Sequence, residues 1–461
     1  MIIEFREGAL DKVGGSARQP QAVAGPVSAP ATPATDRADA WPFTTRQQYG
    51  ALALLFVLGL VNYIDRLALS VLQVPIQREL HLTDGQLGAL IGFTFSLPYL
   101  LFSLPAARIA DRWNRKYLLI AALLLWSAMT AAVSLANSFT TIAILRTGVA
   151  MGEAVCLPTV YSMLSDFFRP HQRARAIALF GMTYSVGSMI GIGGAGLLGE
   201  AFGWKTAFLL IGLTGLALAP VLAVWLREPP RSGIAADAEA PPRLARTFGI
   251  LWRLRSFRYA AVGASLQCFV GVMILFWSTP FYVRTHGTSL GEIAVTLGAL
   301  VGIAGAAGTL SSGLLGDRLG RRDDRWYLWL PALSSLLTLP FGLLQFLAGD
   351  LRIAIAFGIV TIFLANMWLS PTYAIAQALV GPRLRAVASA TLVTGTAIAS
   401  GAVGPSVIGE LSDALDVRFG LHAQSLRFAL CVALFVSLVA AGFFALSARY
   451  VRDDLRTAGK S

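Results

Sequence analysis

Four ionisable side chains stand where the surrounding sequence is apolar. Asp65 and Arg66 close the run Val61-Asn62-Tyr63-Ile64-Asp65-Arg66, and Arg146 and Glu153 bracket Arg146-Thr147-Gly148-Val149-Ala150-Met151-Gly152-Glu153. In hydrocarbon each such charge costs at least ~2.5 kcal/mol unless it is paired or hydrated. Two acids and two bases are therefore expected to neutralise one another. Arg146 and Glu153 are seven residues apart, which on a helix puts them on one face but ~10 Å apart along it, too far to pair with each other. If the first segment rises through a membrane and the second descends, Asp65 and Arg146 reach similar depth in its outer half. We therefore expect an Asp65–Arg146 pair, with Glu153 deeper and within reach of Arg66. A carboxylate that helix movement alternately pairs and unpairs can take up and release a proton, so these four residues are candidates for proton coupling and gating. A purely structural ion-pair network is the alternative.

The elements that hold these residues follow from composition. Of 461 residues 56% are hydrophobic and only 13% charged, too few charges to cover a soluble domain. Runs of roughly 20 apolar residues match the ~30 Å hydrocarbon core of a bilayer, and twelve can be placed: 50–75, 87–110, 117–137, 140–165, 174–199, 205–226, 258–283, 291–316, 326–347, 352–380, 386–411 and 425–448. The expected fold is all-α and membrane-integral, with twelve spans in two pseudo-symmetric six-helix bundles, 47–227 and 258–449. Residues 1–46, rich in Ala, Pro and Thr, have the composition of a disordered tail and lack the apolar core of a signal peptide. Residues 228–257 read as a linker and 450–461 as a second tail.

The net charge of +12 would suit nucleic acid or an anionic surface, but its distribution points to topology instead. Of 37 Lys and Arg, 29 fall on the side of the two termini, six in the opposite loops and two within spans. By the positive-inside rule both termini are cytoplasmic. The linker's Arg243, Arg246, Arg253, Arg255 and Arg258 could form a surface helix against anionic headgroups; a solvated loop fits equally well.

The second half repeats the first but without its buried charges. Asp111-Arg112 with Arg115-Lys116 recurs 206 residues later as Asp317-Arg318 with Arg321-Arg322. Arg175-Ala176 matches Arg385-Ala386, and Gly199-Glu200 matches Gly409-Glu410, both at a separation of 210. Where the first half has ionic spans, the second offers Gln267, Trp277 and Tyr282, then Asn366, Trp368, Tyr373 and Gln377. With Asn62 and Tyr63 opposite, this suits a cavity for an amphiphile with a charged head and an apolar tail; the same aromatics serve equally as packing or interface anchors. Gly-rich runs in the fifth and eleventh spans let helices approach closely, and Pro98 and Pro105 are bend points in the second. Cys156, Cys268 and Cys431 read as small packing residues, and His81, His171, His286 and His422 are scattered. Neither a metal nor a cofactor is expected. No nucleophile-base pair or phosphate-cradling loop supports an enzyme, although a lipid-modifying enzyme or membrane sensor on the same scaffold is a distant alternative.

The run Gly313-Leu-Leu-Gly-Asp317-Arg318-Leu-Gly320-Arg321-Arg322 resembles the loop signature of the major facilitator superfamily, and Ala107 to Lys116 is a variant copy with Asn114 at the turn. The resemblance implies a cytoplasmic latch, with Asp111 facing the start of span eleven near Arg385 and Asp317 the start of span five near Arg175. Its other members would be Arg112, Arg115, Lys116, Arg318, Arg321 and Arg322. A carboxylate suits that place because helix N-termini are positive. Val61 to Arg66, Asp111 to Lys116, Arg146 with Gly152-Glu153-Ala154, Arg173-Ala174-Arg175-Ala176 and Arg227-Glu228-Pro229-Pro230-Arg231 are more specifically similar to the spinster family, over residues 48–232 and more weakly beyond. That family includes lysophospholipid and sphingosine phosphate carriers. The likeness implies a bacterial inner-membrane secondary transporter working by alternating access, with Asp65, Arg66, Arg146 and Glu153 coupling protons and gating the cavity. Its partners would be a lysolipid-like or other amphiphilic anion, protons and membrane lipids, with no nucleic acid, and the chain would act as a monomer. A drug or organic-anion carrier of the same superfamily is the alternative.

Overall fold

The structure is a computed structural model that describes residues 42–231, 249, 251–380 and 384–458. The expected tail up to residue 41, the linker residues 232–248 (with Arg243 and Arg246) and residues 459–461 lie outside them. Among the described residues all regular structure is helical. Eleven helical stretches are long and apolar enough to cross a membrane. One of them, Pro170–Trp225, has 56 residues, ~84 Å of helix, more than twice what a bilayer needs. It breaks at Gly203, whose φ of 80° and ψ of 160° are non-helical, so it supplies two spans. The twelve are α1 (Thr45–Leu80), α2 (Asp84–Arg112), α3 (Arg115–Leu135), α4 (Phe139–Phe167), α5 (170–202), α6 (204–225), α7 (Arg255–His286), α8 (Leu290–Gly320), α9 (Trp326–Leu347), α10 (Leu351–Ala378), α11 (Val387–Phe419) and α12 (His422–Thr457).

Local chemistry sets where these helices begin and stop. Thr44 and Thr83 form capping boxes with Gln47 and Gln86, and Asn114, Ser138, Ser289 and Asp350 cap α3, α4, α8 and α10 through their side chains. Each cap satisfies N–H groups that the helix leaves unpaired. Within α2 the interruption falls at Gly92, and one helix, Phe93–Arg112, runs through both Pro98 and Pro105. Gly92 has the non-helical φ of −89° and ψ of −82° and lies where α2 approaches α11 closely, since a Cβ there would stand 3.0 Å from the Ala402 carbonyl oxygen. The facing part of α11, Ile398–Val403, is a π-helix, and α12 continues well past the expected end at 448.

The apolar cores describe how the bundles meet. One large core draws residues from both, including Leu72, Ile192 and Phe208 from the first and Ile274, Leu297 and Leu430 from the second. These all lie toward the end of the molecule that carries the Gly203 break, here the far face. Toward the end that carries the two Asp-Arg loops, the motif face, there are two separate cores. One is built around Trp126, Phe167 and Phe180 and the other around Phe257, Leu328 and Phe444. The bundles are thus sealed together at the far face and parted at the motif face. Within that seal, buried Gln73 of α1 donates to the Phe276 carbonyl oxygen of α7 at 2.7 Å.

Candidate functional site

The four charges of the first half converge. Arg66 of α1 donates from Nε and Nη2 to one oxygen of Glu153 on α4, at 3.0 and 2.8 Å. Arg146 of α4 faces Asp65 of α1, with Nη1 to Oδ1 at 3.8 Å. The second contact is an ion pair without a formed hydrogen bond, and Thr130 of α3 donates to the other Asp65 oxygen at 2.5 Å. Asp65 and Arg146 are 2% exposed and Glu153 is fully buried, whereas Arg66 keeps 21% of its side chain exposed. Arg66 is therefore the member of the cluster that meets the interior space.

Aromatic rings complete the cluster. Phe95 of α2 lies between the two guanidinium groups, its centroid 5.1 Å from Arg66 and 4.9 Å from Arg146. Tyr99 and Tyr63 face Arg66 at 4.8 and 5.6 Å. Such faces stabilise cations where water is scarce. Glu153 owes its place to the residue before it: a Cβ on Gly152 would sit 3.0 Å from the Ala122 carbonyl oxygen of α3, so α4 and α3 are in backbone contact there. Asp65 Oδ1, Glu153 Oε1, and Arg146 Nε and Nη1 are buried and make no hydrogen bond within the protein. The cluster is balanced in charge yet only partly paired, and so can be re-paired by small helix shifts.

Beside it a cavity of about 780 Å³ runs between α5, α7, α8 and α10. Met182, Tyr184, Cys268, Leu275, Thr309, Asn366 and Trp368 are among its lining residues, none of which is charged. Tyr184 joins cavity and cluster, its ring 5.4 Å from that of Tyr63 in an edge-on contact. Of the side chains expected to line a cavity, Asn366 and Trp368 do so. Asn62 is buried with its amide nitrogen unpaired. Gln267 is fully buried, and neither of its amide atoms has a partner within the protein.

Asn62, Tyr63 and Gln267 are not among the residues that line the cavity, and the other three expected residues are placed elsewhere. Trp277 is sealed in the shared far-face core, where its bulk fills the interface between bundles. Tyr373 packs against the second motif-face core. Gln377 is exposed and donates to Ser389 of α11 at 3.0 Å. The α5 and α8 linings, Thr130 and the aromatics of α2 were not singled out from the sequence. The i, i+4 spacing of Phe95 and Tyr99 is the one signal that could have found the last two.

At the motif face no ion pair joins Asp111 with Arg385, or Asp317 with Arg175, among the described residues, because the bundles are parted there. Asp317 accepts a hydrogen bond from the Tyr327 hydroxyl at 3.1 Å, and Arg112, Arg175, Arg318, Arg321, Arg322 and Arg385 are exposed. Arg115 does not reach across the bundles. It is buried within the first bundle, bonded to Asp166 at 2.6 Å, Glu228 at 2.9 Å and the Pro229 carbonyl. The Lys116 backbone N–H also donates to Glu228. Arg231 donates to the carbonyls of Ala110, Asp111 and Trp113, closing the end of α2.

Comparison with known proteins agrees with this architecture. The signature of the Major Facilitator Superfamily matches residues 55–405. An "MFS-type efflux pump" of Mycolicibacterium smegmatis is 34% identical over 92% of this chain and 98% of its own length. "Protein spinster homolog 1" of Xenopus tropicalis is 23% identical over 90% of this chain and 83% of its own. The crystal structure of a bacterial homologue of the human lysosomal transporter Spinster, inward-facing and unoccupied, superposes with a TM-score of 0.81 at 27% identity, covering 89% of this chain and 99% of that one. These relatives are transporters rather than enzymes. The chain belongs to the major facilitator superfamily of membrane transporters and is homologous to its spinster proteins.

Proposed function

We propose that this transporter carries an amphiphilic anion across the bacterial inner membrane by alternating access, coupled to protons at Asp65 and Glu153. The observation that carries the reading is the adjacency of an uncharged, largely apolar cavity to a buried charge cluster whose one exposed member is Arg66. The cavity offers an apolar tail room and a few neutral hydrogen-bonding groups. Arg66, reached past Tyr184 and Tyr63, offers the head a cation. When Glu153 is ionised it holds Arg66; a proton on Glu153 weakens that hold and frees the guanidinium for the substrate's anion. The Glu153 carboxylate and the substrate's anion then compete for one arginine, so that a proton on Glu153 favours substrate binding, and such linkage is the elementary requirement for coupling. The Lys and Arg distribution supports a cytoplasmic motif face, on which reading the present state is inward-facing. We read the chain as a monomer, since its own two bundles supply the lining of the cavity.

A second reading, an exporter of drugs or organic anions, draws support from the name of the mycobacterial relative. The two are separated by flux in proteoliposomes under an imposed pH gradient, with a lysophospholipid in one arm and a hydrophilic organic anion in the other. Lysophospholipid flux that follows the gradient is the expected result. Tight selectivity for the hydrophilic anion would sink the amphiphile reading. Flux unaffected by the gradient, in wild type and in Glu153→Gln alike, would remove the protons.

A further inference from the structure

At the motif face the start of α7 packs on the end of α12, and the residues of this seam are not among those that line the cavity. Arg255 of α7 lays its guanidinium over the ring of Tyr450 of α12, and Arg258 lies over Tyr259, each 5.4 Å from the ring centroid. The two rings stand 5.8 Å apart, and Phe443, 6.2 Å from Tyr259, continues the aromatic surface toward the membrane interior. Arg255 is exposed, and Arg258, Tyr259 and Tyr450 are half-buried. A guanidinium stacked by its face keeps the N–H groups of its edge free to donate. The carboxylates nearby are engaged elsewhere. Asp454 accepts from the Ser256 N–H and hydroxyl at 2.8 and 2.6 Å, and Asp323 pairs with Arg452 at 2.8 Å. Among the described residues neither Arg255 nor Arg258 has a carboxylate partner, and Asp453, exposed on α12, pairs with no cation.

Three residues apart on one helix, Arg255 and Arg258 are neighbours whose like charges repel, so an anion between them relieves both. The outward face of α12 continues from this point as an apolar strip. Val432, Phe435, Val439, Gly442 and Leu446 are exposed at spacings of three or four residues, and the next position of the strip is Arg449. No atom lies within 4 Å of where a Cβ of Gly442 would stand, so the strip is hollowed beside Phe443. Apolar strip, then tyrosines, then arginines is the order of chain, interface and phosphate in a bilayer leaflet. We propose that this seam binds one anionic phospholipid of the motif-face leaflet. Its phosphate lies between Arg255 and Arg258, the tyrosine hydroxyls donate to its head, and an acyl chain follows Leu446, Gly442 and Val439. A free phosphate would meet the same arginines but leave the strip uncovered. The site is independent of what the cavity carries.

The test places full-length protein in nanodiscs of equal parts phosphatidylglycerol and phosphatidylcholine and counts, by native mass spectrometry, the lipids each protein retains on release. Wild type should keep one phosphatidylglycerol with a roughly tenfold preference over phosphatidylcholine. Arg255→Gln with Arg258→Gln should lose that preference. Two controls should keep it: Arg418→Gln, which removes an arginine stacked on Phe419 at the far face, and Arg66→Gln, which alters the cation beside the cavity. Should the double variant lose its fold by thermal melting, Arg255→Gln and Arg258→Gln singly carry the test with smaller losses in the same direction. Unchanged preference in the arginine variants overturns the proposal. So does its loss in Arg66→Gln alone, which would put the retained lipid in the cavity. Inorganic phosphate added to wild type should leave the lipid bound; its displacement would make the seam a site for free phosphate and overturn the lipid assignment.

Discussion

The two bundles share a backbone plan but handle polarity in opposite ways. The first buries two acids and two arginines within a few ångströms of one another. The second, at related positions, buries the neutral Gln267 and lines its cavity with Asn366, Trp368 and Cys268. A buried ion pair contributes little net stability over an apolar replacement, yet breaking one by removing a single partner is costly. Persistence of such a network in one half, and its absence from the other, points to work done by the charges rather than to scaffolding. On the proposed mechanism the repeat would serve motion and the asymmetry would serve coupling.

The comparison breaks most visibly at Arg146. Arg146→Leu leaves Asp65 without its counter-charge and should destabilise the protein by ~3–5 kcal/mol, read as a fall in melting temperature in detergent. Adding Asp65→Asn to that variant should recover much of the loss. If the single variant melts like wild type, the cluster is hydrated and its pairing carries no weight. Next in size, Glu153→Gln should cut pH-driven uptake by at least ~tenfold while leaving substrate exchange measurable, because coupling is lost and the cavity remains. Equal loss of both activities would make Glu153 a structural residue.

The second bundle supplies the controls. Gln267→Leu replaces an amide with no partner in the protein by an apolar side chain of similar size, and should change stability by less than ~1 kcal/mol. A large loss would mean that Gln267 is held by a bond it does not make in this state. The smallest effect belongs to Asp323, outside the spans, where the Arg325 backbone N–H and then Arg452 hold the carboxyl below its ordinary value. A depressed carboxyl stabilises the fold above its unfolded-state value and loses that contribution as pH falls through the folded one. Asp323→Asn should therefore lower stability by a fraction of a kcal/mol at neutral pH, and the difference should vanish in acid, as differential melting at the two pH values would reveal.

The charged half was the more legible in the sequence, for a physical reason. A charge inside an apolar run has few acceptable surroundings, so Asp65, Arg66, Arg146 and Glu153 announced both their importance and their partners. An aromatic or amide in such a run is at home in a core, in a cavity wall or at a surface. Trp277, Trp368 and Gln377 occupy those three places respectively, and nothing local distinguishes them. Thr130 escaped notice because a hydroxyl can bond to its own helix and so marks nothing by itself. The motif-face acids are a different case: Asp111 and Asp317 stand apart from Arg385 and Arg175 because the bundles are parted there. A sequence encodes all the states of a transporter at once, and a single structure holds one of them.

Helix α2 touches the charge cluster through Phe95, begins at the far face with Asp84, which pairs with Arg284 of α7, and ends beside Asp111 on the motif face. Phe95 stands ~24 Å from Asp111 along the helix, with the break at Gly92 on its other side. Were the proposed protonation of the neighbouring carboxylates to change the spacing of the two arginines that flank Phe95, α2 would be the lever that carries the change toward both faces, with the aromatic ring as its fulcrum.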